Sequence, residues 1–255
     1  AIGINALVVD TLGSKSVAIG DSALGAQNFT SATDTYNTAV GYSAGAANTT
    51  GIQNTFVGGL AGDANTSGGA NVALGYGALS AEDTGNRNVA IGNLALAVQN
   101  HNATNNNTAV GYGAGTAVTT GIKNTIIGAN GADNLTTGQN GTYLGYDINA
   151  SAVDVDHEIG IGSNITAAGT NTVRIGTTNG FIQIALNQST TSWSAGSDER
   201  LKKDIQTSTA GLSFINDLRP VTYKWNAKNA IANSLPQYDA SSDKPIWGGG
   251  ETIHG

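Results

Sequence analysis

The stretch "NTAVGYSAG", residues 37 to 45, decides the fold because variants of it recur along most of the chain. Aligned on the glycine that closes the apolar pair, the pattern returns in "NTFVGGLAG" from 54 and "NVALGYGAL" from 71. The closing glycines fall at 20, 41, 58, 75, 92, 111, 128, 145, 162 and 176, and six of the nine intervals equal the step from Gly41 to Gly58. A fixed short period is typical of a repeat protein in which each unit stacks on the next.

Each repeat predicts a short strand that ends in a tight turn. In "SVAIGDSAL", residues 16 to 24, Val17 and Ile19 alternate with Ala18, so the two faces of the strand carry different side chains. The closing glycine supplies backbone angles that a side chain would forbid. One repeat is long enough for two or three such strands with turns, so we predict one coil of a β-solenoid per repeat and about ten coils in all.

A recurring asparagine opens six of the repeats. It stands at positions 37, 54, 71, 88, 107 and 124. In stacked coils these side chains predict a ladder in which each side-chain amide bonds to the next.

The strands are apolar on both faces. Phe56, Ile126 and Tyr143 occur on the face that otherwise carries alanines, opposite the Val, Ile and Leu side chains. A strand that is apolar on both faces must be covered on both, and in a roll one coil thick the second cover is another chain. The sequence therefore predicts an oligomer, most simply a homotrimer around one axis.

The repeats also resemble a known architecture. The units "NTAVGYSAG" and "NVAIGNLAL" resemble the head repeats of trimeric autotransporter adhesins and of many phage tail fibres. The resemblance covers about residues 13 to 176 and implies an intertwined trimeric β-roll.

Charge changes sharply along the chain. Residues 1 to 196 hold four Lys or Arg and eleven Asp or Glu, whereas residues 197 to 255 hold seven of each. Clustered cations for phosphate are missing, so no nucleic-acid partner is predicted, and no apolar run approaches the about 18 residues of a membrane span. The absence of cysteine excludes disulfides, and the absence of methionine leads us to expect a fragment or a processed product.

Three segments follow from these patterns. Residues 1 to 176 form the repeat roll, residues 177 to 196 a connector or stem with a turn at Asn179 and Gly180 before one strand, and residues 197 to 255 a small α+β domain. In the last segment, "STAGLSFINDLRP" has helical spacing with Leu212, Ile215 and Leu218, and "VTYKW" predicts a strand.

The string "SDERLKKDI…GLSFINDLRPVTYKW", which begins at Ser197, resembles the endosialidase-type intramolecular chaperone of phage tail fibres and spikes. That family is also classed as a serine peptidase, and the chain ends before its domain would be complete. The resemblance implies self-cleavage between Gly196 and Ser197, with Ser197 as nucleophile and Lys202 as general base. A lysine serves as a base only where burial and cationic neighbours, here Arg200 and Lys203, lower its pKa from the reference value of about 10.4.

Other candidate sites are weaker, and no cofactor or metal ion is predicted. In "DVDHE", residues 154 to 158, Asp154, Asp156 and Glu158 could hold Ca²⁺, but a solvated loop is the preferred interpretation. "GYGAG", residues 111 to 115, imitates a phosphate-binding loop but lacks the following helix and lysine.

The two resemblances together predict a mostly β, trimeric phage tail-fibre shaft or tip with an incomplete chaperone domain. Its expected partners are two further copies, other virion tail proteins and a bacterial surface receptor, with glycan as the expected class. Its expected place is the virion, outside the cell after assembly in the host cytoplasm. We expect at most one self-cleavage and no turnover of an external substrate. Two alternatives stay open: a bacterial trimeric adhesin, which needs a membrane anchor after the repeats, and a glycan-degrading tailspike, which needs paired carboxylates at a groove.

Overall fold

The computed structural model describes residues 1–186, 194–195, 222–223, 240–242 and 253–254. The chain divides into two units, Ala1–Ser197 and Asp198–Gly255, and each is described by itself. Every regular element in these described ranges is a β-strand, and none of them is an α-helix.

The first unit is a β-solenoid, which confirms the predicted fold class. Its strands are β1 Gly13–Ser14, β2 Val17–Ile19, β3 Thr33–Asp34, β4 Thr38–Val40, β5 Thr55–Val57, β6 Val72–Leu74, β7 Val89–Ile91, β8 Thr108–Val110, β9 Thr125–Ile127, β10 Thr142–Asn149, β11 Glu158–Thr166, β12 Thr172–Thr177, β13 Gly180–Ala185 and β14 Ser194–Ala195.

One twelve-stranded sheet runs along the first unit. From β2 through β4 to β12 the strands pair in sequence order and in parallel. Ala18 pairs with Ala39, which pairs with Phe56, so equivalent side chains stack coil on coil. After β12 the chain turns at Thr178 and Asn179, and β13 and then β14 join the sheet antiparallel. Strands β1 and β3 form a separate parallel pair.

Most coils contain one strand of the long sheet, whereas the sequence allowed two or three. The second flank of each coil consists of turns in which left-handed residues recur, such as Leu94 (φ 57°) and Leu96 (φ 50°). Left-handed backbone interrupts an extended strand. The flank still bonds to both neighbouring coils, because the Leu94 N–H donates to the Tyr76 carbonyl (2.9 Å) and the Leu96 N–H to the Ala114 carbonyl (3.0 Å).

The alanine face of the strands points into the roll and forms its core. Ala39, Ala73 and Ala90 are fully buried, and so is Phe56. The Phe56 ring occupies space left by glycine on the opposite flank, since a Cβ on Gly62 would come within 2.4 Å of the ring. Large and small residues thus alternate across the core, which keeps every coil the same width.

The asparagine ladder exists, but its bonds differ from the prediction. All six asparagines are fully buried. The Oδ1 of Asn54 accepts a hydrogen bond from the backbone N–H of Asn71 (2.9 Å), and the Asn54 Nδ2 donates to the Gly68 carbonyl (2.8 Å). Five of the six side chains therefore donate to a backbone carbonyl of their own coil, and all six accept from a backbone N–H of the next coil, instead of bonding to the equivalent amide there. Asn88 is the exception among the donors, because its Nδ2 has no hydrogen-bond partner within the described residues.

The roll begins earlier than residue 13, where the sequence resemblance started. Ile2 makes a parallel bridge to Ile19, and Gly3 has the φ of +134° that is typical of the closing glycines. Gly3 precedes Gly20 by the same interval that separates Gly41 from Gly58, so "AIGINAL" forms part of one more coil.

In the second unit the described residues include β15 Thr222–Tyr223 and β16 Ile253–His254, which pair antiparallel. The predicted strand "VTYKW" contains β15. The helix predicted in "STAGLSFINDLRP" lies outside the described residues.

Candidate interaction surface

The outward face of the long sheet carries one aliphatic side chain per coil, at the third residue of β2 and of β4 to β10 and at the fourth residue of β11 and β12. We call this line the aliphatic stripe: Ile19, Val40, Val57, Leu74, Ile91, Val110, Ile127, Leu144, Ile161 and Ile175. Ile19, Leu74 and Ile127 are exposed (39%, 46% and 43%), and the other seven are half-buried. An unbroken apolar line of this length on an exposed sheet face marks an interaction surface.

The first strand position widens the stripe. It holds Val17, which is 46% exposed, and it holds valine or threonine in the following coils up to β10. The sequence correctly predicted that both faces of the strands carry apolar side chains. The structure adds that the alanine face is the one covered by the chain itself, and that the described residues of the first unit leave the Val, Ile and Leu face half-buried to exposed.

The residues of the predicted self-cleavage lie outside the described residues. These are Gly196, Ser197 and Lys202. The predicted dyad therefore stays a prediction.

The acidic run "DVDHE" does not bring its carboxylates together. Glu158 points into the core, where its Oε2 accepts hydrogen bonds from the Tyr143 hydroxyl (3.1 Å) and the Ser151 N–H (3.1 Å). Asp154 is exposed, and Asp156 contacts the His157 ring (3.0 Å). Across the described ranges, no group of three His, Asp or Glu side chains could hold a metal ion.

Burial and the neighbouring Glu158 carboxylate raise the pKa of Tyr143. Tyr143 therefore stays protonated and donates its hydroxyl to Glu158, which explains how this hydroxyl is accommodated in the apolar core. The sequence placed Tyr143 on the alanine face of its strand but gave no signal for its partner, which follows 15 residues later.

A second buried carboxylate, Glu82, interrupts a column of amides in the core. The column lies seven residues after the first five closing glycines and consists of Gln27, Asn48, Asn65, Glu82 and Gln99. Its members bond along the roll, as where Asn65 Nδ2 donates to Asn48 Oδ1 (2.7 Å). The column was not predicted, although its regular spacing is visible in the sequence.

Within the described part of the chain, the Glu82 carboxylate accepts hydrogen bonds but forms no ion pair. Its Oε1 accepts from the Gly85 N–H (2.7 Å), and its Oε2 accepts from Asn105 Nδ2 (2.7 Å). Burial nevertheless raises the pKa of Glu82 above the ordinary value of 4.5. On the side of Asn65, the buried Oδ1 of that residue has no hydrogen-bond partner.

We expect Glu82→Gln to remove part of the pH dependence of the stability of the roll. A carboxyl with a raised pKa binds its proton more tightly in the folded state than in the unfolded state. Folding stability therefore falls as pH rises from about 4.5 toward the folded pKa, and the neutral glutamine abolishes that fall. The measurement is the melting temperature at pH 4.5 and pH 8, with the exposed Asp154→Asn as control. An equal pH response in wild type and Glu82→Gln would contradict the expectation.

Comparison with known proteins adds one match. Residues 197–238 match the family described as chaperone of endosialidase. This match confirms the chaperone domain predicted from "SDERLKKDI" and its following residues. No curated protein and no solved structure matches the chain. In the part of the chain that the structure describes, no helix has the length and hydropathy needed to span a membrane.

Proposed function

We propose that this chain is a structural and receptor-binding part of a phage tail fibre that works as a homotrimer. The observation that carries the proposal is the aliphatic stripe, which continues without a polar residue through ten coils directly upstream of a chaperone-of-endosialidase match. When three chains turn their stripes toward a common axis, each stripe is covered by the other two. The other surfaces of the solenoid can keep the conformation described above.

The chaperone domain supplies what such an assembly needs. A trimer of long parallel sheets must bring three chains into register before non-local contacts can form, and such folding is slow and prone to aggregation. A C-terminal domain that holds three chains together shortens this search. In this proposal the domain folds the fibre and then cuts itself away at Gly196–Ser197.

The assembled roll serves as a stiff spacer with an adhesive outer surface. Its place is the virion, where it contacts other tail proteins at one end and a bacterial surface glycan along its sides. It reaches that place outside the cell after assembly in the host cytoplasm.

We expect Leu74→Glu to convert the trimer into monomers. The substitution places three unpaired carboxylates against apolar side chains at the common axis, and each costs several kcal/mol when buried. The matched control is Thr137→Glu, because Thr137 is exposed and lies away from the stripe. Light scattering coupled to size-exclusion chromatography measures the mass of each assembly.

Two outcomes would refute the proposed assembly. One is a wild-type chain that is monomeric at every concentration. The other is a Leu74→Glu chain that remains trimeric like the control. A monomeric Leu74→Glu chain with a normal circular dichroism spectrum would show that the coil itself folds and that only the assembly depends on the stripe.

A further inference from the structure

Four exposed tyrosines follow the closing glycines of every second coil. They are Tyr42, Tyr76, Tyr112 and Tyr146, with exposed fractions of 62%, 56%, 61% and 53%. Between one tyrosine and the next, one coil lacks a tyrosine at this position, so the row repeats once every two coils. We call these four residues the tyrosine row.

The tyrosines lie in line because the coils keep their register past the closing glycines. The Leu60 N–H donates to the Tyr42 carbonyl (2.9 Å), and the Leu94 N–H donates to the Tyr76 carbonyl (2.9 Å). Neighbouring coils are one strand spacing apart, so successive tyrosines stand about 9.5 Å from each other along the roll.

The intervening coils leave room for the rings. Between the tyrosines, the same position holds Gly59, Asn93 and Ala129. A Cβ on Gly59 would lie 3.5 Å from Cδ2 of Tyr76, so this ring extends over the neighbouring coil. Each tyrosine is thus separated from the next by a small or polar residue.

Folding of the roll does not account for this two-coil period. The core, the asparagine ladder and the aliphatic stripe all repeat every coil, and the tyrosine rings are outside the core. Exposed aromatic side chains in a regular row indicate a ligand that itself repeats. A spacing of about 9.5 Å is close to the length of one disaccharide in an extended β-linked glycan.

Charge selects among such glycans. The first 196 residues have four basic and eleven acidic side chains. Two of the acidic residues adjoin the row, since Asp21 holds the tyrosine position one coil before Tyr42 and Asp147 follows Tyr146. Like charges repel an anionic polysaccharide, whereas an uncharged sugar ring can place its apolar C–H face on a tyrosine ring.

We propose that the tyrosine row binds a neutral, extended polysaccharide that lies along the roll, with one disaccharide for each tyrosine. This inference rests on the receptor-binding role proposed above and gives it a ligand class and a place. At Tyr42, Tyr76 and Tyr112 the row follows a closing glycine, Gly41, Gly75 or Gly111, where the strand of the stripe ends in a bend with φ between +135° and +142°. The stripe can therefore be covered by other copies while the tyrosines stay accessible.

The test measures binding of cello-oligosaccharides of two, four and six sugars to the full-length protein by titration calorimetry. Oligogalacturonates of the same lengths serve as anionic comparison. We expect affinity to increase with each added pair of neutral sugars. Tyr76→Ala should lower the affinity for cellohexaose about fivefold to tenfold, and Tyr76→Phe should retain it because the ring is unchanged.

The matched control is Tyr36→Ala. Tyr36 is also exposed (52%) but lies outside the row, beside Lys15. Its substitution should leave the affinity for cellohexaose unchanged. Absence of binding to cellohexaose, stronger binding of the anionic series, or equal losses in Tyr76→Ala and Tyr36→Ala would each overturn the inference.

The mass of the assembly, measured on the same samples, separates this inference from the proposed function. A trimer that binds no neutral oligosaccharide overturns the tyrosine row and leaves the fibre proposal intact. A monomeric wild type overturns the fibre proposal, whatever it binds. A Tyr76→Ala chain that loses the trimer would assign the row to the contact between copies and overturn the ligand.

Discussion

Gly58→Ala prevents the roll from folding, whereas Gly59→Ala one residue later leaves it folded. Gly58 has φ +132°, a conformation that side chains rarely adopt, and a Cβ at this position would lie 2.5 Å from the carbonyl oxygen of Gly75. The obstacle is backbone of the next coil, so no rotamer change can relieve it. We expect a loss of more than about 4 kcal/mol, a large share of the whole stability of a domain.

Gly59 is a matched control because it differs in the two properties that matter. Its φ is not in the left-handed region, and the nearest atom to an added Cβ is in the flexible Tyr76 ring at 3.5 Å. We expect Gly59→Ala to change stability by less than about 0.5 kcal/mol. Thermal unfolding followed by circular dichroism compares the two variants. Similar melting temperatures would show that the coils can separate at this corner, against the geometry described above.

The repeat in the sequence was sufficient to predict the solenoid, because each closing glycine lies against the closing glycine of the next coil. The Cβ of each closing glycine from Gly20 to Gly162 would collide with the carbonyl of the next one. The same spacing gave the asparagine ladder, because a buried side chain that recurs once per coil must meet its equivalent. The match to chaperone of endosialidase likewise confirmed what "SDERLKKDI" had suggested.

Other features depended on three-dimensional contacts that the period does not encode. Alternation showed two apolar faces but not which one the roll covers; the answer follows from the size of the opposite flank, where Gly62 makes space for Phe56. The turn-rich flank was missed because its left-handed residues include Leu94 and Leu96, which favour no such conformation on their own. The surroundings of Glu82 were missed because its donor Asn105 lies in the next coil, where the interval between closing glycines is longer than the usual one.

The aliphatic stripe and the tyrosine row divide the surface of the roll between two tasks. The stripe repeats every coil, as expected of a surface that meets identical copies in register. The row repeats every second coil, so its partner has a different period from the protein itself. The core repeats every coil, so its packing cannot have set the two-coil period of the tyrosine row.

We expect Ser197→Ala to abolish the proposed self-cleavage of the full-length product, and Lys202→Ala to do the same. In the proposed step the Ser197 Oγ attacks the carbonyl carbon of Gly196, and Lys202 accepts the hydroxyl proton. The Gly196–Ser197 C–N bond breaks, the proton passes to the freed Ser197 amine, and water then hydrolyses the resulting ester. Lys202→Arg should also be inactive, because a guanidinium keeps its charge but cannot act as a base.

Two control variants separate this chemistry from an effect on folding. Ser194→Ala removes a hydroxyl three residues upstream and should be cleaved as wild type. Lys203→Ala should still be cleaved, but at higher pH, because the proposed base needs cationic neighbours and this variant removes one of them. Intact-mass spectrometry is the measurement, with a fragment ending at Gly196 as the expected wild-type product.

The outcome of the Ser197→Ala experiment decides what the charged segment does in the fibre. If wild type is cut and Ser197→Ala is an uncut trimer, the chaperone acts as a clamp that leaves after assembly. Its loss makes the assembly irreversible, because the separated roll can no longer refold with its help, and the stability of the fibre becomes kinetic. If wild type is an uncut trimer, or Ser197→Ala is still cut, the dyad is wrong, and residues 197 to 255 are a permanent fold-assisting domain.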